Sequence, residues 1–151
     1  MRCLLLAVGR CRDPALGTLI ERYRGRLPWP VEIREIEAKA VEPARRRAEE
    51  GRAILAAVAP DVPLVALDER GTLLSSRAFA ERLGSWREEG RRTIAFAIGG
   101  PDGLDPAVRE RADLVLALGR LTLPHELARL VLVEQLYRAH SILAGHPYHR
   151  E

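Results

Sequence analysis

The stretch Thr93-Ile94-Ala95-Phe96-Ala97-Ile98-Gly99-Gly100-Pro101-Asp102-Gly103-Leu104-Asp105-Pro106 decides the fold of this chain. Thr93 to Ile98 is uncharged and of strand length, which fits a strand buried on both faces. Gly99, Gly100 and Gly103, with Pro101 and Asp102, then permit tight turns and a close approach of a ligand to the main chain. A helix is expected to begin near Asp105-Pro106. A buried strand leaving through a glycine loop into a helix is the unit of an open α/β sheet, where ligands sit at the carboxyl ends of strands. The same loop reads equally well as a plain strand-to-helix turn. Its spacing matches neither the dinucleotide fingerprint G-x-G-x-x-G nor a phosphate loop with its Lys-Ser/Thr, so nucleotide hydrolysis has no motif behind it.

Working outward, further short apolar runs are predicted as strands at Arg2 to Val8, Val31 to Glu37, Pro63 to Asp68 and Asp113 to Leu118. Between them lie helical patterns. Leu16, Leu19, Ile20, Tyr23 and Leu27 form one apolar face, and Phe79, Leu83 and Trp86 form another after a cap at Ser75 or Ser76. Glu42 to Val58 is charged early and apolar late, so its first half is expected in solvent, with Gly51 as a weak point. The last pattern, Pro124 to Leu143, is apolar on more than one face and is expected to be covered on two sides. The second cover is a loop or a second copy of the chain, and a homodimer is the reading taken here. Alternating strands and helices predict one α/β domain over residues 1–151, a mainly parallel sheet with flanking helices.

Composition narrows the class. With 47% hydrophobic and 30% charged residues the chain is globular, and no apolar run approaches the ~20 residues of a membrane span. The apolar opening Cys3 to Val8 is too short for a secretory signal and is taken as a strand. Cys3 and Cys11, the two cysteines, suggest neither a disulfide framework nor a metal cluster, which points to the cytoplasm. The formal charge of +3 is compatible with a nucleic-acid partner without demonstrating one. Lys39 is the sole lysine among 24 basic residues, Asn is absent and Gln135 is the sole glutamine, a bias that suits a thermophilic or GC-rich source.

Two further segments carry chemistry. Gly119-Arg120-Leu121-Thr122-Leu123-Pro124-His125 is a second strand-to-helix loop, in which Thr122 could cap the helix and Pro124 open it. Following the last two strands, both loops could line one pocket. All four histidines, His125, His140, His146 and His149, lie near the end, which runs His146-Pro147-Tyr148-His149-Arg150-Glu151. H-x-x-H over a proline is not an established zinc pattern, so no metal is expected. The tail is either frayed or, through its ring, imidazole and guanidinium, suited to stacking on a base and holding phosphate.

Taken in order, Ile98 to Leu104, Leu121 to His125, Glu134-Gln135-Leu136-Tyr137-Arg138-Ala139 and His146 to Glu151 resemble the RlmH family of the SPOUT methyltransferase class. Leu6 to Gly9 and Leu67 to Gly71 match too, so the resemblance spans essentially the whole chain, with Glu35 to Glu50 matching least and expected to tune the surface rather than the reaction. The resemblance implies a C-terminal trefoil knot, which periodicity could not have shown. It implies S-adenosyl-L-methionine as cofactor, held by Leu67, Gly100, Gly119, Arg120, Leu121, Thr122, Leu123 and Pro124, largely through main chain. It also implies methylation of N3 of a pseudouridine in 23S ribosomal RNA, in the intersubunit stem-loop helix 69 of assembled ribosomes. Glu134, Arg138, Tyr148, His149 and Arg150 are the candidate catalytic, substrate-positioning residues, with the tail reaching across a homodimer. His125 is a further titratable group nearby, and no general base is assigned. Glu134 and Arg138 also read as a plain i, i+4 ion pair on an exposed helix face. The ribosome is the expected partner, with no DNA, membrane or metal. Rival readings are a SPOUT enzyme acting on transfer RNA, a noncatalytic ribosome-binding factor, and an unrelated nucleotide-binding module.

Overall fold

A computed structural model describes residues 1–151. The elements run β1 (Arg2–Val8), α1 (Pro14–Arg26), β2 (Val31–Ile36), α2 (Pro43–Ala56), β3 (Leu64–Leu73), α3 (Ser76–Glu88), β4 (Thr93–Ile98), α4 (Pro106–Arg111), β5 (Leu114–Ala117) and α5 (His125–Ala144). The sheet has five strands in the order β2-β1-β4-β3-β5, every neighbouring pair parallel. Alternation along the strands divides the core in two. Leu5, Ala7, Val65, Ile94, Phe96 and Ile98 face α1, α3 and α5 through Ile20, Phe79, Leu83, Leu132 and Leu136. Leu4, Leu6, Val8, Ala66, Ala95 and Ala97 face α2 and α4 through Ile54 and Val108. This is the expected α/β sheet with helices on both faces, and no helix is long and apolar enough to cross a membrane.

Helix α5 packs between α1 and α3 on one sheet face. Its all-round apolar character therefore has an intrachain cause: the sheet lies beneath it and a helix on each flank. Gly145 ends it in the left-handed region at φ 72°, with the His146 N–H donating to the Ser141 carbonyl at 2.8 Å.

Several local expectations change. Strand β3 runs on to Leu73, beyond Asp68, because its pairing with β5 slips: both Leu67 and Thr72 face Leu116. The intervening Asp68 to Gly71 bulges out, and at Gly71 a Cβ would lie 2.6 Å from the Val115 carbonyl oxygen, so only glycine lets the strands meet. Gly51 does not interrupt α2. It is buried where the helix meets the loop before α4, and a Cβ there would lie 2.8 Å from the Asp105 Cβ. Ser75 caps α3 by accepting from the Ala78 N–H, as expected. Thr122 does not cap α5. Pro124 is the N-cap, and no side chain satisfies the first turn.

Candidate functional site

The carboxyl ends of β3, β4 and β5 open into a cavity of about 790 Å³. Three stretches wall it: Leu67 to Arg70 after β3, Ile98 to Leu104 after β4, and the segment from Leu118 into the first turn of α5 at His125 and Ala128. This volume lies within the roughly 300–1,000 Å³ of small-molecule sites. Its lining joins apolar side chains, Leu67, Ile98, Leu104, Leu116, Leu118 and Leu123, to exposed loop main chain.

The β4 exit is a four-residue turn: the Gly103 N–H donates to the Gly100 carbonyl at 3.0 Å across Pro101 and Asp102. Gly99 presses against Gly103, where a Cβ would lie 2.8 Å from the carbonyl carbon, and Gly103 takes φ 77°. The glycines thus bring main chain together where side chains would collide.

The other two walls are tied to each other. The Thr122 hydroxyl donates to Glu69 Oε2 at 2.6 Å, and Arg120 Nη1 donates to the Glu69 carbonyl at 2.6 Å. Asp68 accepts from Arg109 Nη1 at 2.9 Å and from the Arg70 N–H at 2.9 Å. Burial works to raise the Asp68 carboxyl, but these donors outweigh it and hold it below the usual range. On the back of the β4 turn, Arg46 of α2 donates to Asp102 through Nε at 3.1 Å and through Nη2. Three of the cavity's carboxylates, those of Asp68, Glu69 and Asp102, are therefore engaged, and His125 lines the wall without a hydrogen bond of its own.

A second cluster gathers at the far half of α5. Glu134 Oε1 accepts from Arg138 Nε at 3.1 Å, from Arg138 Nη2 at 2.7 Å and from the Tyr148 hydroxyl at 2.9 Å. Glu134 Oε2 accepts from Gln135 Nε2 at 2.7 Å, and Gln135 Oε1 accepts from the Ser76 hydroxyl at 2.7 Å. Arg138 lies 4.8 Å from the Tyr148 ring centre and meets His149 Nδ1 at 3.2 Å. The His149 Nδ1 is thus the acceptor and the proton sits on Nε2, 3.5 Å from Glu151, whose carboxylate also pairs with Arg77. Burial first, then the neighbouring Glu134, push the Tyr148 phenol well above its ordinary value, so it remains a donor.

Of the residues singled out for the cofactor, Leu67, Gly100, Gly119, Leu121, Thr122, Leu123 and Pro124 line the cavity, while Arg120 does not and spends its guanidinium on Glu69. Of the substrate-positioning residues, Glu134, Arg138, Tyr148 and His149 form one cluster, and Arg150 stands exposed without a partner. The Glu134–Arg138 pair is formed but not on an open face: the two side chains are 18% and 23% exposed. The tail is folded back onto α5, with Tyr148 packed 4.6 Å from Tyr137, ring centre to ring centre. His146 and His149 are engaged separately, the former accepting from the Tyr148 N–H at 3.2 Å. From sequence, no site role falls to Asp68 and Glu69, though they lie in the family-like Leu67 to Gly71 segment, to Arg109 and Arg46, or to Ser76, expected only as a possible cap. All act through partners from 41 to 59 residues away, a signal that no local pattern carries.

A parallel α/β sheet with a glycine-walled cavity at its carboxyl edge, closed by the last loop before a long C-terminal helix, defines the class, and the family model described as "Predicted SPOUT methyltransferase" matches residues 1–149. Relatives named "Ribosomal RNA large subunit methyltransferase H" match end to end. That of Rhodospirillum centenum is 56% identical over 151 residues, covering 99% of each chain. Those of Brucella anthropi and Methylocella silvestris are 50% identical, covering 99% of each chain, and 49% identical, covering 100% of each. The chain belongs to the RlmH family of SPOUT methyltransferases.

Proposed function

We propose that this protein transfers a methyl group from S-adenosyl-L-methionine to N3 of a pseudouridine in 23S ribosomal RNA, in the helix 69 stem-loop of the assembled ribosome, in the cytoplasm. The observation that carries the reading is the pairing of two unlike regions in one small domain. One is a main-chain-walled cavity of about 790 Å³ and the other a cationic, aromatic cluster on the same helix. Relatives that match end to end are named as methyltransferases of large-subunit ribosomal RNA, which supplies the substrate class, and the cluster's stacking and guanidinium groups suit RNA.

The cavity fits the donor. Gly119 is on the wall, and a Cβ there would meet no protein atom within 4 Å, leaving room for a ligand against the main chain. When the donor is bound, the lining leucines would enclose its adenine ring, the loop N–H and C=O groups would read its edge, and the uncapped first turn of α5 would offer N–H donors to its carboxylate. When bound, the donor supplies its methyl group as an electrophile on a sulfonium. The protein's own contribution is orientation: a ring nitrogen held in line with the methyl reacts as if at very high local concentration. That nitrogen must first lose its proton. His125 is the lining group free to take it, since Asp68, Glu69 and Asp102 are committed to Arg109, Thr122 and Arg46. Glu134 is saturated and serves to hold Arg138 and Tyr148 toward the nucleotide, where Arg138 and Arg150 offset the charge left on the base.

In one copy these regions do not meet. Ala128 lines the cavity and Arg138 lies ten residues further along α5, about 15 Å at helical rise. The reading therefore includes a homodimer in which the tail of one copy completes the cavity of the other, and a chain threaded as a SPOUT trefoil knot around that cavity.

The test is methyl transfer from labelled S-adenosylmethionine to purified ribosomes, with transfer RNA and ribosomes lacking pseudouridine as parallel acceptors. Label on ordinary ribosomes alone is expected. Label on transfer RNA would move the enzyme to another SPOUT specificity, and no label on any acceptor would leave a binding protein.

A further inference from the structure

Helix α2 lies outside the cavity, on the opposite side of the β4 turn, and contributes none of its lining. Its start, Glu42 to Arg45, is exposed as expected, but Arg46 and Arg47 are half-buried against the turn. Arg46 Nε and Nη2 both reach Asp102 Oδ2, and Arg47 Nη1 donates to the Asp102 carbonyl at 3.5 Å. The Arg46 and Asp102 side chains are 34% and 22% exposed. One turn on, Glu50 is buried, and burial pushes its carboxyl above the usual range despite the nearby Arg46 cation, whose hydrogen bonds go to Asp102. Gly51 then packs on Asp105, fixing the far end of the loop. Glu42, accepting from the Ala44 and Arg45 N–H groups, fixes where the helix starts and hence where both arginines point.

Asp102 is the third residue of the Gly100–Gly103 turn, whose other face lines the cavity. Both its side chain and its carbonyl are thus held from behind, and the turn's peptides cannot rotate without breaking these contacts.

We propose that Arg46, seconded by Arg47, is a positioning residue for the methyl donor: acting through Asp102, it sets the peptides of the β4 turn in the orientation that the donor reads. It rests on the proposed donor reading and adds to it a determinant in the Glu35 to Glu50 stretch, expected from sequence to tune only the surface.

The experiment is calorimetric titration of the full chain with S-adenosylmethionine, beside steady-state methyl transfer to ribosomes. In the wild type, titration must show binding; its absence overturns the donor reading and this inference together. With wild-type binding established, Arg46→Ala is expected to weaken donor affinity and raise donor KM roughly tenfold, with kcat at saturating donor within about twofold. Arg46→Lys, which keeps the charge but not the fork, should recover part of the loss. Asp102→Asn should weaken binding similarly, and Arg46→Ala/Asp102→Asn should be no worse than the weaker single variant, since both remove one contact. Unchanged donor affinity in Arg46→Ala, or single losses that simply multiply, would overturn the inference while leaving the donor reading intact. Should Arg46→Ala fold poorly by thermal melt, Arg46→Gln, which keeps a hydrogen-bonding group, carries the same expectations.

Discussion

The cavity and the tail cluster sit at opposite halves of one helix and are built on opposite principles. The cavity is walled by main chain and apolar side chains, shaped by glycines, and its lining carboxylates are spent bracing the loops: Asp68 on Arg109, Glu69 on Thr122, Asp102 on Arg46. The cluster is made of side chains alone, with Glu134 as its hub and Arg138, Tyr148, Gln135 and His149 around it. Main chain fixed by remote braces suits a small ligand of constant shape. A guanidinium stacked on a phenol ring and held by a carboxylate hub suits a nucleic acid, whose phosphates and base faces are read by charge and by rings. Under the proposed function the two regions separate donor recognition from acceptor recognition, and lesions in each should separate experimentally.

The largest effect is expected from Gly99→Ala. Its new Cβ would lie 2.8 Å from the Gly103 carbonyl carbon and 3.0 Å from the Leu104 nitrogen, so the turn must open. Overpacking of about 1–3 kcal/mol corresponds to roughly fivefold to hundredfold weaker donor binding by calorimetry. RNA association should be spared, and a variant that lost both equally would erase the division. Next comes Glu134→Gln, which removes the charge that Arg138 and Tyr148 share. A hydrogen bond to a charged group contributes about 1.5–3 kcal/mol, so transfer to ribosomes should fall roughly tenfold or more while donor affinity stays put. Co-expressing these two variants sharpens the point. If the tail serves a partner's cavity, mixed dimers retain one intact site and the mixture regains about one quarter of wild-type activity. If each tail serves its own cavity, nothing returns. Thr122→Val is smaller: it removes only the bond to Glu69 Oε2, and about 1 kcal/mol predicts a loss of roughly fivefold in donor affinity, read by the same titration.

How far the sequence reached follows from the range of the interactions. Thr93 to Ile98 was legible because a strand buried on both faces must be apolar throughout, and the glycines after it because they mark where main chain must come close. Ser75 was legible as a cap because its partner is three residues away. Thr122 had the same local credentials and was misread, because Glu69, brought alongside by the β3–β5 slip, claims its hydroxyl instead. The charged first half of α2 was legible as solvated up to Arg45, but Arg46 was not legible as a brace for the same reason: Asp102 is 56 residues away. The tail was open to two readings, frayed or functional, and only Gly145, turning the chain back, places Tyr148 against Tyr137 and Glu134. The family resemblance supplied which residues to watch, and the braces behind them required coordinates.

The smallest effect tests whether the cavity half of α5 is braced as rigidly as its loops. Arg129 is 2% exposed and donates through Nη1 to Glu35 Oε2 at 2.8 Å, joining α5 to β2, while Glu35 also accepts from the Cys11 N–H. The bond from Arg129, opposed by burial and aided by the Cys11 N–H, holds the Glu35 carboxyl below its ordinary value of 4.5. A carboxylate with a lowered folded value binds fewer protons folded than unfolded, so its contribution is present above 4.5 and fades as pH falls through the lower value. Because the Glu35 side chain is 38% exposed, solvent screens part of the attraction. Glu35→Gln should therefore lower Tm at neutral pH by only a few degrees, at roughly 2–4 °C per kcal/mol for a domain of this size. The difference from wild type should shrink as pH falls below 4.5 and on through the lowered folded value, since protonated Glu35 and glutamine then leave Arg129 in the same uncompensated state. Melting curves that stay parallel across that range would show that Arg129 is held by packing and by its Nη2 bond to the Gly9 carbonyl at 3.4 Å rather than by the ion pair.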